Sequence, residues 1–154
     1  MTGVQTCALP IFKEVIEHIQ GSPVDVEAAI AAEAAKPTAK GAGLLAKYNA
    51  ETDPIALAAY QLVAEGRAEA VWNTMAECID DEFISGSYAK IARDEGFHAS
   101  IGARKLEQLM KSDADRAHAL DLVTRMRKDL YEISCMNTTA AADGKKLVAD
   151  AYGW

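Results

Sequence analysis

The sequence predicts an all-α domain, and three of its features indicate this. Only four proline and ten glycine residues occur among 154 residues, fewer turn signals than a β-sandwich or barrel needs. Apolar residues recur at helical spacing, and no segment alternates apolar and polar residues as a strand does. Half of the residues are hydrophobic and 25% are charged, which is typical of one compact, soluble domain.

Charge and hydropathy exclude several kinds of partner. The net charge is −7 and the basic residues do not cluster, so neither nucleic acid nor an anionic membrane surface is expected to bind. No apolar run approaches the ~18 residues of a membrane span. The three cysteines form neither a disulfide framework nor a CxxC zinc site, so a reducing, cytoplasmic location is expected.

The first eleven residues, MTGVQTCALPI, resemble the in-frame translation of a sequencing adapter. They lack the basic region and the long apolar region of a signal peptide. We therefore predict a non-native segment at residues 1–11 and a helical domain at residues 12–154, and we expect the authentic chain to begin further upstream. Without Cys7, Cys78 and Cys135 remain, and we interpret both as inert thiols.

Capping residues and breakers divide the domain into helices. Asp25 precedes an Ala-rich run, Asp53 is followed by a proline in the first helical turn, and Asp81 and Ser112 precede two further long runs. The predicted helices cover about residues 12–20, 26–36, 43–50, 54–78, 82–110, 113–136 and 144–151. The two long helices joined at Asp80-Asp81 are predicted to be antiparallel neighbours, as in a bundle.

The helix after Asp81 carries ionisable residues on its apolar face. At about 100° per residue, Glu95 and His98 lie within about 40° of the line of apolar side chains. A carboxylate and an imidazole are costly there unless they are paired, hydrogen-bonded or bound to a metal. The preceding helix has the same feature, with Glu65 and Glu69 near the centre of its inner face.

The turn between these helices favours one of the two glutamates. Residues at equal height in an antiparallel pair lie equally far from the turn. Glu65 and Glu95 centre on Asp80, whereas Glu69 and Glu95 centre two residues later. Glu65 is therefore the better partner, with Glu69 as the alternative. A Glu on one helix and Glu-x-x-His on the next form half of a four-helix-bundle site for two iron or manganese ions.

The run at residues 94–102, DEGFHASIG, resembles the D-E-x-x-H-x-x-x-G signature of ferritin-like di-iron carboxylate proteins. It is most similar to their oxygenase and oxidase branch, and the resemblance covers about residues 53–110. It implies a ferritin-like antiparallel bundle with Glu65, Glu95 and His98 as metal ligands. It also implies two iron ions, with manganese as an alternative, that activate O2 to oxidise a small organic or acyl substrate. The resemblance does not identify the electron donor, and it is compatible with a homodimer of this chain.

The chain departs from that family pattern in its first half. A complete site needs a second Glu and a second Glu-x-x-His, from two earlier helices. Glu14 and His18 lie more than about 90° from the apolar stripe of their helix, so we interpret them, with Glu17, as a solvated face. We expect the missing ligands upstream of the adapter junction and the bundle to be incomplete at its N-terminus.

Two other functions stay open on the sequence. One is a ferritin-like iron-storage or rubrerythrin-type peroxidase protein. The other is a non-catalytic interaction module in which Glu65, Glu95 and His98 form a buried polar network.

Asp94 is either an acceptor that orients His98 or a surface charge. Of the remaining candidates, core packing is predicted for Tyr88, packing or surface positions for Trp72 and Met75, and a surface position for His118.

Overall fold

The computed structural model describes residues 4–34 and 47–137, with side chains at 8–32 and 47–132. This part is helical and contains no strand, so the all-α prediction is confirmed. No helix within it is long and apolar enough to cross a membrane. The helices are α1 (Val4–Gln20), α2 (Val26–Ala34), α3 (Pro54–Tyr60), α4 (Gly66–Cys78), α5 (Glu82–Leu109) and α6 (Asp113–Asn137), with a π-helical segment, Gln61–Glu65, between α3 and α4.

Helix α1 is longer than the sequence predicts. It begins at Val4, so one helix spans the predicted boundary between residues 11 and 12, and Ile11 is buried. The helix ends as predicted at Gly21, whose φ of 67° lies in the left-handed region that glycine tolerates. The adapter origin of residues 1–11 stays a prediction.

The short predicted helices have different outcomes. Helix α2 is confirmed, and the carboxylate of Asp25 accepts the Ala28 N–H at 3.0 Å. The helix predicted at 43–50 does not extend past Lys47, where a turn follows. Asn49 there has φ 52°, a left-handed conformation that ends a helix and that Asn tolerates. Residues 43–46 and the helix predicted at 144–151 lie outside the described residues.

The helix predicted at 54–78 is present but changes its winding. Asp53 caps it as predicted, accepting the N–H groups of Ile55 and Ala56 at 2.9 and 3.2 Å, and proline occupies its first turn. The π-helical segment then widens the helix over Gln61–Glu65. No local signal in the sequence predicts this change. It sets the direction of the side chains after the segment relative to those before it.

The predicted bounds of α5 and α6 are confirmed to within one residue. The Asp81 carboxylate accepts the Ile84 N–H at 3.0 Å and so caps α5. At the start of α6, the Ser112 hydroxyl accepts the Asp115 N–H at 3.1 Å, and the Asp115 carboxylate accepts the Ser112 N–H at 2.8 Å. This reciprocal pair satisfies backbone donors that the helix itself leaves unpaired.

The described residues fall into two compact units, which we describe separately. The first contains residues 4–34 and 64–101. In it, α4 and α5 are antiparallel as predicted, since the Ser85 hydroxyl donates to the Ala76 carbonyl at 2.8 Å and the rings of Trp72 and Tyr88 are 5.1 Å apart. The core of this unit joins α1 to both helices and comprises Ile11, Val15 and Ile91 with Ala8, Phe12, Trp72, Ile84 and Tyr88 packed around them.

The second unit contains residues 47–63 and 102–137. Its core is built mainly of small residues from α3 and larger ones from α5 and α6, including Ala56, Ala58, Ala59, Leu106, Leu122 and Met126. The buried Tyr48 hydroxyl donates to Asp129 at 2.6 Å. Burial, together with this hydrogen bond, raises the pKa of Tyr48, so the hydroxyl keeps its proton and the contact persists.

Gly102 of α5 marks a close approach of two backbones in the second unit. A Cβ at this position would lie 2.6 Å from the Leu62 nitrogen and 2.9 Å from the Ala58 carbonyl oxygen. Both are main-chain atoms, which cannot swing aside as the end of a side chain can. The fold therefore requires glycine here for space, because the backbone of α5 touches the junction of α3 and the π-helical segment.

Asp53 also joins α3 to α6. Its second carboxylate oxygen lies 2.7 Å from His118 Nε2, so His118 is exposed as predicted but has a partner that the sequence analysis did not assign. Burial opposes ionisation of Asp53. The hydrogen bonds from His118, Ala56 and Ile55 outweigh that effect and lower the pKa of the carboxyl.

Replacing Asp53 with alanine should lower the free energy of unfolding by about 1–2 kcal/mol near neutral pH, because the helix loses its cap. A carboxyl with a lowered pKa contributes stability above its unfolded-state pKa and loses it as the pH falls through the folded-state value. The difference should therefore shrink towards about pH 3 in urea denaturation. Asp53→Asn keeps the cap acceptor and should lose less. A deficit as large at about pH 3 as at neutral pH would contradict the expectation.

Candidate metal centre

The structure brings together the three residues predicted as ligands. Glu65 is the last residue of the π-helical segment, and Glu95 and His98 lie one turn apart on α5. One ligand atom from each lies within 4.8 Å of the other two, and no other group of three metal-ligating side chains occurs among the described residues. All three belong to the first unit.

Two polar atoms of this group are buried without a partner. Glu65 is 6% exposed and Glu95 8% exposed. Oε2 of Glu95 and Nδ1 of His98 have no hydrogen-bond partner in the described part of the chain, and at 3.7 Å from each other they are too far apart to form a hydrogen bond. A buried polar atom left unsatisfied costs about 1–3 kcal/mol, so the metal-free arrangement is costly.

The Glu95 carboxyl group affects the charge of Glu65. Burial, followed by the hydrogen bond to Glu95 and the negative charge there, raises the pKa of Glu65 to about 8. In the metal-free protein near neutral pH, Glu65 is therefore largely protonated and donates to Glu95. A cation held between the carboxyl groups would favour their ionised forms and remove that repulsion.

The donor set fits a transition-metal cation. Carboxylate oxygens suit a hard cation, and an imidazole nitrogen extends the preference to iron and manganese. With a neutral imidazole, the two carboxylates carry the charge that neutralises one divalent ion. Because such donors bind at about 2.0–2.2 Å, the 3.7 Å between Glu95 Oε2 and His98 Nδ1 lets one ion contact both atoms.

Local packing explains how Glu65 reaches α5. The π-helical segment ends at Glu65, and Gly66 follows directly. A Cβ on Gly66 would lie 3.8 Å from the Cβ of Ala99, an ordinary contact, so small residues allow α4 to lie close to α5 beside the site. π-helical turns are frequent at functional sites, and here the turn immediately precedes a candidate ligand.

Glu69, the alternative partner, lies outside the group of three. Its carboxylate instead rests against Gly96, where a Cβ would lie 2.6 Å from Glu69 Oε1. Asp94 is exposed. The rings of Tyr88 and Trp72 contact each other within the core of the first unit, which confirms their predicted packing, and Met75 is half-buried.

Of the residues predicted to form a solvated face of α1, Glu17 is half-buried, and Glu14 and His18 are exposed. His18 Nε2 lies 3.0 Å from the Asp81 carboxylate at the start of α5, and Glu17 accepts the Val24 N–H at 3.0 Å. These residues join helix ends and lie outside the metal-ligating group. Cys78 is an exposed free thiol, and the side chain of Cys135 lies outside the described residues.

Sequence reasoning missed two features of the site. The first is the π-helical segment, which has no reliable sequence signal. The second is the position of Glu69 against Gly96. Gly96 is one of three glycines on α5, and at Gly86 no group lies within 4 Å of the Cβ position, so a glycine alone does not predict such an approach.

Comparison with known proteins gives no match. No protein-family model, curated protein or solved structure matches this chain.

Proposed function

We propose that Glu65, Glu95 and His98 bind an iron or manganese ion. The observation that carries this proposal is the pair of unpartnered buried atoms, Glu95 Oε2 and His98 Nδ1, beside the Glu65 carboxyl. A cation satisfies both atoms and neutralises the carboxylates, whereas a buried polar network would need partners that the described residues do not provide.

We further propose that the chain acts as a non-haem di-iron oxygenase or oxidase on a small organic or acyl substrate. The resemblance of residues 94–102 to the di-iron carboxylate signature supports this step. Bound iron would supply the O2 chemistry. Glu65 and Glu95 would hold the metal, His98 would fix its position from α5, and the burial of both carboxylates limits access of bulk water. A second iron needs ligands beyond these three, and the cysteine pattern supports a cytoplasmic location.

Metal-free protein should bind Mn²⁺, and Fe²⁺ under anaerobic conditions, in isothermal titration. Glu95→Gln and His98→Gln should each weaken binding by roughly tenfold or more, since losing even an indirect support of a metal site costs about 10–100-fold. Mn²⁺ electron paramagnetic resonance checks that the ion is held by the protein. Iron-loaded protein given a reductant should then consume O2.

His18→Gln is the matched control, because it removes an exposed imidazole from the same compact unit. It should leave the affinity for Mn²⁺ unchanged. If wild-type protein binds neither ion, or if Glu95→Gln and His98→Gln bind as tightly as His18→Gln, the metal proposal is wrong and a non-catalytic role for the buried group is favoured. If metal binds but no O2 is consumed, only the oxygenase proposal fails.

A further inference from the structure

Glu69 is an acidic residue near the site whose carboxylate has no hydrogen-bond or ion-pair partner in the described part of the chain. It lies one helical turn after Glu65, on the same side of the helix, where side chains four residues apart are neighbours. Its side chain is half-buried, and it forms no hydrogen bond or ion pair with any described residue. Such a carboxylate loses hydration without gaining a partner.

Gly96 provides the space that this carboxylate occupies. A Cβ at residue 96 would lie 2.6, 2.7 and 3.1 Å from Oε1, Cδ and Oε2 of Glu69. The Glu69 carboxylate therefore rests on the helix backbone where any other residue would place its side chain. Because Gly96 directly follows Glu95, the Glu69 carboxylate lies against α5 beside a residue of the metal-ligating group.

A third carboxylate would balance the charge of a trivalent cation in this site. Glu65 and Glu95, with a neutral His98, cancel the charge of a divalent cation. A trivalent cation would leave one positive charge in a site where both carboxylates are more than nine-tenths buried. An uncompensated buried charge is costly, so a trivalent ion favours the approach of another anion. Glu69, one helical turn after Glu65, is the neighbouring carboxylate that would supply this anion.

We propose that Glu69 is a further ligand of the Glu65–Glu95–His98 site and binds when the site holds a trivalent cation. This inference rests on the proposed metal-binding function. It extends that function by assigning to the chain a residue that stabilises the higher oxidation state of a bound metal.

Terbium(III) titration of the metal-free protein tests the proposal. Tb³⁺ is a trivalent ion that prefers oxygen ligands, and its luminescence lifetimes in H2O and D2O count the water molecules bound to it. Glu69→Gln should weaken Tb³⁺ binding by roughly tenfold or more and add about one bound water molecule. Its affinity for Mn²⁺ should change less than threefold, because the divalent ion does not recruit the third carboxylate.

Glu77→Gln is the matched control, since it makes the same change at an exposed position on α4 and should alter neither affinity nor bound water. Glu69→Asp keeps the charge but shortens the reach, so a ligand role predicts a water count like that of Glu69→Gln. Circular dichroism checks that each variant folds. If Glu69→Gln and Glu77→Gln give the same Tb³⁺ affinity and water count, the proposal is overturned. If wild-type protein binds neither Tb³⁺ nor Mn²⁺, the proposed metal site fails as well.

Discussion

Replacing Gly102 with alanine is expected to lower the free energy of unfolding by about 2 kcal/mol. Alanine would favour an isolated helix by about 1 kcal/mol over glycine, so the expected effect opposes helix propensity. It arises because the added methyl group would lie 2.6 Å from the Leu62 nitrogen and 2.9 Å from the Ala58 carbonyl oxygen. Relief requires α5 to move away from α3 and the π-helical segment, which loses buried contacts.

The same substitution six residues earlier on α5 provides the control. At Gly96 the three atoms nearest to the added methyl group all belong to the end of the Glu69 side chain, which can rotate away. Gly96→Ala should therefore leave the stability unchanged or raise it by up to about 1 kcal/mol. Urea denaturation of both variants measures the difference. Equal effects at the two positions would show that backbone contact at Gly102 does not limit the packing.

Local signals were sufficient to predict the helices. Asp25, Asp53, Asp81 and Ser112 each cap the helix that the sequence assigns to them, because a short polar side chain before an apolar run satisfies backbone donors that would otherwise stay unpaired. The signal failed at residues 48–50. A short Ala-containing run there is overridden by the left-handed conformation of Asn49, which the tertiary setting determines.

The juxtaposition of Glu65, Glu95 and His98 was also predictable, for a geometric reason. Once the turn at Asp80-Asp81 is located, the antiparallel register fixes which residues of the two helices share a height, and helical periodicity fixes which of them face inward. The positions of two helices and one turn were therefore enough to predict that these three side chains lie together. Ligand identity does not follow from position alone, so metal binding stays a proposal.

The remaining features depend on contacts between residues far apart in sequence. The π-helical segment interrupts a helix that local propensity would wind regularly. His118 pairs with Asp53 across 65 residues, and no spacing rule relates them. Glu69 faces Gly96 only because small residues allow α4 and α5 to lie close together. Each feature is a property of the packed structure.

The buried carboxyl groups relate the proposed function to stability. Oriented ionisable groups in a low-dielectric site are costly without a ligand, and the same orientation favours cation binding. Burial and the neighbouring Glu95 raise the pKa of Glu65, which is the direction that such a cost produces. The raised pKa predicts how the stability of the metal-free protein depends on pH, whatever the metal or the reaction.

In metal-free protein, Glu65→Gln should remove a loss of stability that occurs as the pH rises. The pKa of Glu65 is raised from 4.5 to about 8 in the folded chain. Its contribution to stability is therefore fully present below the unfolded-state pKa and is lost as the pH rises through the folded-state value. Each unit of pKa corresponds to about 1.4 kcal/mol, so the loss across this pH range should be on the order of a few kcal/mol.

The measurement is chemical denaturation of both proteins, dialysed against a chelator, at several values from about pH 5 to pH 9. The glutamine variant stays neutral throughout, so the wild-type protein should become less stable relative to it as the pH rises. Saturating Mn²⁺ should reverse the trend for the wild type alone, because the cation binds the ionised carboxylates and thereby stabilises the folded state. Parallel stability curves for the two metal-free proteins would mean that Glu65 is solvated like a surface carboxylate. Ionisation of the buried pair would then not destabilise the metal-free fold, and the argument that a cation stabilises this site would be lost.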